Sequence, residues 1–237
     1  MSTIYAGTSG WSYTTWKPRF YPANLASAKF LKHYATRLNT VESNYTFRSV
    51  PGEKSLAGWI EATPENFRFA VKAHQSITHI KRLRDVQYSL EEFVESIEPL
   101  RKAGRLGPIL FQLPPNFKAD MARLRDFLGI LPRGVRAAIE FRHESWFIED
   151  VFSLLRQANV ALCHAESEDL ETPDVLTAPF ACYRLRKSAY SPAQLEGIAS
   201  TLRSRAAEGE VFAYFKHEEQ PTGAICAVDT LRRLQHP

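Results

Sequence analysis

Long apolar runs are missing from this chain of 237 residues. Nowhere does it approach the ~20 consecutive apolar residues that a helix needs to cross a bilayer. The N-terminus, Met1-Ser2-Thr3-Ile4-Tyr5, lacks a basic region followed by an apolar one, so no secretory leader is read there. Both absences point to a cytoplasmic protein with no membrane partner. Cysteine is scarce: Cys163, Cys182 and Cys226 are odd in number, widely spaced and set in apolar runs, which excludes a disulfide scaffold and suits reduced, buried thiols. No structural zinc site is readable from them. Low-complexity sequence is absent too, and 44% hydrophobic with 24% charged residues leaves no room for a long disordered region. Neither sign of charge dominates. The net charge of +4 attracts anions without forming the dense basic tract of a dedicated nucleic-acid binder.

Local motifs of several common chemistries are also missing. There is no Gly-x-Gly-x-x-Gly turn after the first predicted strand, which disfavours an open dinucleotide-binding sheet. There is no His-Glu-x-x-His pair for a metal, and Ser9 lacks the Gly-x-Ser-x-Gly context of a nucleophile elbow. No metal ligand or cofactor is assigned.

What the chain does contain is an alternation, repeated about eight times, of short β-rich runs and longer helix-like segments. The predicted strands are 4–8, 40–44, 67–73, 109–113, a run ending at Glu140, 160–163, 180–185 and 211–215. Helices are predicted over 27–38, from Pro51 onward, over 89–102 with Ser89 as N-cap and Glu92 completing a capping box, around Met121 to Leu131, over 148–157, from Ser191-Pro192, and over 223–234. Residues 74–87 read as a long irregular loop. The count is that of an α/β protein built as a single (β/α)8 barrel of TIM type over residues 1–237, with its ligands at the C-terminal strand ends.

The stretch Ala137-Ala138-Ile139-Glu140-Phe141-Arg142-His143 is the centre of that reading. Its period of two puts Ala138, Glu140 and Arg142 on one face, polar only at its C-terminal end. The same logic gives a shared face to Glu42 and Asn44, and places Lys72, Gln112 and Arg184 late in their strands. If the strands close, these side chains converge on one mouth.

Five motifs in order carry a resemblance: Gly7-Thr8-Ser9-Gly10-Trp11-Ser12-Tyr13; Thr40-Val41-Glu42-Ser43-Asn44 with Thr46-Phe47; Phe69-Ala70-Val71-Lys72 with Ile77-Thr78-His79; Leu110-Phe111-Gln112-Leu113-Pro114-Pro115; and Glu140-Phe141-Arg142-His143-Glu144-Ser145-Trp146. On these the chain resembles the domain of unknown function 72 family, the YecE-like proteins, over nearly its whole length. The resemblance implies a TIM-type barrel and no particular chemistry. Two departures stand out: similar proteins have an aromatic where this chain has Arg48, and a Tyr-Phe-Asn-Asn run where it has Tyr214-Phe215-Lys216-His217.

Three cations (Lys72, Arg142, Arg184) against two carboxylates leave room for an anion. Barrels often bind phosphate in the loops after strands seven and eight, where Arg184, Arg186 and Lys216 lie. The resulting expectation is a metal-independent hydrolase or lyase acting on a phosphorylated or otherwise anionic small molecule. Glu140 or Glu42 serves as general base, His143, His79 or His74 as general acid, and Lys72, Arg142 and Arg184 stabilise developing negative charge. The catalytic candidates are Glu140, Glu42, His143 and Lys72. The substrate-binding candidates are Trp11, Asn44, His74, His79, Gln112, Arg142, Arg184 and Lys216. Among the first-loop aromatics, Trp11, Tyr13, Trp16, Phe20 and Tyr21 either stack on a sugar or plug the barrel rim. Two other readings stay open. One is a metal-dependent hydrolase or a glycosidase using Glu42 and Glu140, with His74 or His164 as further ligands. The other is binding of a nucleic acid or an anionic metabolite without turnover, supported by the basic run 79–84.

Overall fold

The computed structural model describes residues 2–167, 170–216 and 220–235. Runs that are apolar at both parities become strands buried on both faces, as parallel strands under helices must be. They are β1 (Ile4–Thr8), β2 (Thr40–Ser43), β3 (Arg68–Lys72), β4 (Leu106–Gln112), β5 (Ala137–Glu140), β6 (Ala161–Ala165), β7 (Phe180–Leu185) and β8 (Glu210–Phe215). Among the described residues each strand pairs in parallel with the next, and β8 returns to β1 with Ile4 opposite Val211, closing the barrel. Between them run α1 (Phe30–Tyr34), α2 (Glu53–Glu61), α3 (Gln87–Ser96), α4 (Glu98–Lys102), α5 (Met121–Ile130), α6 (Glu149–Ala158), α7 (Pro192–Arg205) and α8 (Thr222–Gln235). No helix among the described residues is long and apolar enough to cross a membrane.

Two cores result from the strand period of two. Outward-facing Val41, Phe69, Ile109, Phe111 and Ile139 pack against the helices. Inside the barrel, large side chains from one side (Tyr5, Phe180, Phe212, Tyr214) meet small ones from the other (Ala70, Ala138, Ala161). Tyr5 and Phe212 stack at 4.7 Å and 8°. The pairing of β1 with β2 requires glycine at position 7, because a Cβ there would lie 1.9 Å from the Thr40 carbonyl oxygen.

The structure departs from the sequence reading where local forces compete. The predicted helix over 27–38 is a short 3-10 turn, Ser27–Lys29, followed by α1. The predicted helix over 89–102 starts earlier, at Gln87, so Ser89 lies inside it and is not its cap. It breaks at Ile97 because Pro99, which lacks an N–H and crowds the preceding turn, starts a new helix. Residues 74–87 hold a π-helical turn, Ser76–Ile80, and then Arg82, Leu83 and Asp85 with positive φ. Trp16, Phe20 and Tyr21 are enclosed at the barrel's flank in the outer core, so these three offer no face to a sugar.

Candidate active site

At the C-terminal ends of the strands the inward-pointing side chains form one continuous chain of hydrogen bonds. Arg184, on β7, is its centre. Its Nε and Nη2 donate to Glu42 on β2 at 2.9 and 2.8 Å, and its Nη1 donates to Glu140 on β5 at 2.5 Å. Glu42 also accepts from Ser9 Oγ at 2.7 Å, and Ser9 Oγ accepts in turn from Arg186 Nη2 at 3.0 Å. On the other side, Glu140 accepts from Arg142 Nε and, at 2.9 Å, from Gln112 Nε2. The amide oxygen of Gln112 accepts from Lys72 Nζ at 2.6 Å, and the ammonium sits 4.1 Å from the centre of the Phe47 ring. Strand parity brings Glu42, Lys72, Gln112, Glu140 and Arg184 into this mouth.

Among the described residues the mouth carries more cations than carboxylates: Lys72, Arg142, Arg184 and Arg186 lie against Glu42 and Glu140. Burial alone would raise the Glu140 carboxyl, but Arg184, Arg142 and Arg186, with the Gln112 amide, outweigh it and hold the group down at about 2. Glu42 is lowered against the same cost of burial by Arg184 and Arg186. Burial would weaken the Arg184 guanidinium, yet its two carboxylates raise it. Lys72 and Arg186 go the opposite way. Burial and the Arg184 charge lower Lys72 to about 8 and Arg186 to about 10. Arg186 also carries a buried Nε that meets no hydrogen-bond partner among the described residues.

Comparison with known proteins places this architecture. Residues 5–237 match the family described as protein of unknown function DUF72. The chain belongs to the DUF72 family. It is 34% identical to the UPF0759 protein YunF of Bacillus subtilis over 154 residues, 61% of this chain and 52% of that protein. It is 32% identical to the UPF0759 protein YecE of Escherichia coli K12 over 145 residues, 61% of this chain and 50% of that protein. The aligned part thus spans about half the length of each relative. A solved DUF72 protein of Thermotoga maritima superposes with a TM-score of 0.89 at 27% identity, covering 99% of this chain and 100% of that one. An AP endonuclease of family 2 from Brucella melitensis, at 11% identity and a TM-score of 0.55 over 95% of this chain and 97% of that one, shares the fold alone.

Several expectations for this DUF72 protein need correction. Glu140 is not suited to be a general base: a carboxylate held near 2, fully buried and saturated by three donors, has little affinity for a proton at neutral pH. Glu42 is pinned in the same way, so neither carboxyl is the protonated acid that a glycosidase needs. The stabiliser role expected of Arg184 fails as well, since its guanidinium is spent on the two carboxylates. His143 and His74 use Nδ1 as a local acceptor. His143 caps the turn Glu144–Trp146 by accepting from the Ser145 N–H at 3.2 Å, and His74 accepts from the Ser76 N–H at 3.3 Å. His164 lies on the outer face of β6 against Tyr183, with burial pushing its pKa down to about 4, so it does not join Glu42 and Glu140 as a metal ligand. Among the described residues no three His, Cys, Asp or Glu side chains come together, and four cations in the mouth oppose a dication.

The remaining candidates divide by position. His79 is near the mouth: its ring meets Phe47 at 4.9 Å, Nδ1 shares a hydrogen bond with Thr78 Oγ1 at 2.9 Å, and burial with the Lys72 and Arg142 charges lowers its pKa. Asn44 turns away. β2 ends at Ser43 and Asn44 adopts helical backbone angles, so it shares no face with Glu42 and lines a separate cavity with Trp11. Lys216 follows β8 and is exposed, while His217 lies outside the described residues. Arg48 is exposed after the Tyr45–Phe47 turn. In the basic run, Lys81 donates to the Asp85 carbonyl and Arg82 to Asn116. The site also includes Ser9 and Arg186, which the candidate set omits although strand parity signals both. Arg186 continues the series Phe180, Cys182, Arg184, and Ser9 continues Tyr5 and Gly7.

Proposed function

We propose that the mouth takes up the anionic group of a small molecule and that the protein is a hydrolase or lyase acting on it, with Lys72 as the proton-transferring group. The observation that carries this reading is Arg186. A guanidinium that is largely buried, pressed by the like charge of Arg184 and left with an Nε donor unmet among the described residues is costly unless an acceptor completes it. Its planar fork suits phosphate or carboxylate, and Arg142 adds a second cation whose side chain is 32% exposed. Lys72 supports the catalytic half. At about 8 its ammonium leaves about a tenth of the population neutral at pH 7, enough to act as base or acid near neutrality. In this reading Gln112 orients the lysine, and Glu140 and Glu42 keep the arginines in place. His79, held neutral beside Phe47, serves as a second relay for the proton. The small-molecule reading is favoured over nucleic acid because the cations converge on the barrel mouth, while Lys81 and Arg82 of the basic loop are tied to neighbours.

The test is thermal unfolding in phosphate at constant ionic strength. At ten times its Kd, phosphate contributes about 1.4 kcal/mol, a rise in Tm of roughly 3–5 °C for a chain of this size. Arg186→Ala and Arg142→Ala should abolish the rise. If parent and variants respond alike, the anion reading fails.

A further inference from the structure

A second feature of the C-terminal face is not part of the Arg184 cluster. On the outer side of β1 and β2, the turn after β1, the residues after β2 and one face of α2 line an open cavity of about 440 Å³. Its wall is aromatic. Trp11 and Trp59 meet edge to face at 5.1 Å and 89°, and Trp59 lies against Phe69 on its other side at 5.4 Å and 24°. Ser43 also lines the cavity. It is 1% exposed, and its Oγ has no hydrogen-bond partner among the described residues, which is costly for a buried hydroxyl. The Tyr13 and Tyr45 rings, the Asn44 amide and the Ser12 and Ser55 hydroxyls also line it, and among the described residues no charged side chain contributes.

These features select a ligand class. The lack of charge excludes an anion as the group bound here. Perpendicular tryptophans do not form the parallel slot that would sandwich a flat base, and a purely apolar group would leave Ser43 unmet. A ring with a C–H face for the indole and hydroxyls on its edge satisfies both walls. We infer that this cavity binds a neutral sugar ring. Cavity and mouth share the same strand ends: Ser9 and Glu42 point into the mouth, and their chain neighbours Gly10 and Ser43 line the cavity, with successive Cα atoms ~3.8 Å apart. Resting on the anion reading of the mouth, the substrate is then a sugar bearing an anionic substituent that crosses the rim to Arg186.

Tryptophan emission tests this in the full chain. Trp16 and Trp146 are fully buried, so a change induced by ligand reports Trp11 and Trp59. The probes are the methyl glycosides of glucose, galactose and ribose, with adenine as the flat-ring control, over the millimolar range usual for a single ring. A saturable change with at least one glycoside and none with adenine is the expected result. Trp11→Ala should remove it, and Ser43→Ala should weaken binding about tenfold. No saturable change with any glycoside, a response to adenine instead, or glycoside binding that is equal in the parent, Trp11→Ala and Ser43→Ala overturns the inference. Glucose 6-phosphate separates the two readings. Tighter binding than methyl glucoside, lost in Arg186→Ala, supports a ligand spanning both sites, and equal binding overturns the spanning substrate. If glycosides bind while phosphate gives no stabilisation, the anion reading falls and the sugar site stands.

Discussion

Lys72 and Gln112 are joined by a 2.6 Å hydrogen bond whose direction is set elsewhere. The Gln112 amide donates its Nε2 to Glu140, so only its oxygen is left to face Lys72. The lysine is thereby linked to a carboxylate it does not touch, with the amide as the intermediary.

The first prediction concerns the Lys72 proton. Followed by heteronuclear NMR at the Cε position, Lys72 should titrate near 8, well below the ordinary 10.5. Gln112→Leu removes the acceptor that favours the ammonium and should lower the value further. The sign for stability follows. Below pH 8 the lysine is protonated whether the chain is folded or not, and the cost of burying it is constant. Between about 8 and 10.5 the unfolded chain binds more protons, so this group makes stability rise with pH across that window. A Lys72 value near 10.5 would remove the basis for its catalytic role.

Arg184→Met should be severely destabilising. It leaves two carboxylates, each 0% exposed, without their shared counter-ion, and breaking a buried pair in this way costs about 3–5 kcal/mol. The loss should show in urea unfolding as a lower midpoint with unchanged slope. Arg184→Lys, which keeps the positive charge but cannot reach both carboxylates with a planar fork, should recover only part of it. An Arg184→Met variant as stable as the parent would refute this account of the cluster.

Much of this arrangement is legible in the sequence. The alternation of strands and helices gives the barrel, and the parity of Glu42, Lys72, Gln112, Glu140 and Arg184 gives the mouth. Parity does not hold past the end of every strand, however. Asn44 has the right spacing from Glu42 and the wrong backbone, because β2 gives way to a helical turn one residue earlier. Which cation neutralises which carboxylate is also hidden, since Arg184 and Glu42 meet across 142 residues of chain. For that reason Glu140 reads as a base in sequence and as a locked anion in the fold. The pairing with Arg184, added to the expected one with Arg142, takes its pKa out of the useful range. The Trp11 and Trp59 pair has no signal of its own, since it joins a loop to a helix.

The three thiols should be silent in the folded protein. Cys163 and Cys182 stand opposite one another on β6 and β7, and burial raises Cys163 well above its ordinary value. Cys226, on α8, is buried and raised as well. Reactivity needs the thiolate and access to it. Ellman's reagent at pH 8 should therefore label none of them over minutes and all of them in denaturant. Fast labelling of Cys163 or Cys182 in the native chain would contradict the closed barrel interior.

The last prediction separates the two side chains most easily confused in the mouth. Glu140→Gln keeps the shape of the carboxyl and removes its charge. It should lower stability at pH 7, because Arg184 and Arg142 lose a counter-ion and the amide presents a donor to donors. The Glu140 carboxyl is depressed from 4.5 to about 2, so its contribution is full above 4.5 and is lost as pH falls from there to about 2. The Tm difference between parent and Glu140→Gln should shrink over that interval. Lys72→Met should do the reverse: its fold is kept or slightly stabilised at pH 7, while turnover of an anionic substrate drops ~10²-fold or more, the usual weight of a proton-transfer group. Its pH–rate profile should also lose the limb near 8. If Glu140→Gln abolishes turnover while its stability and acid limb match the parent, and Lys72→Met stays active, then the carboxylate and not the lysine moves the proton.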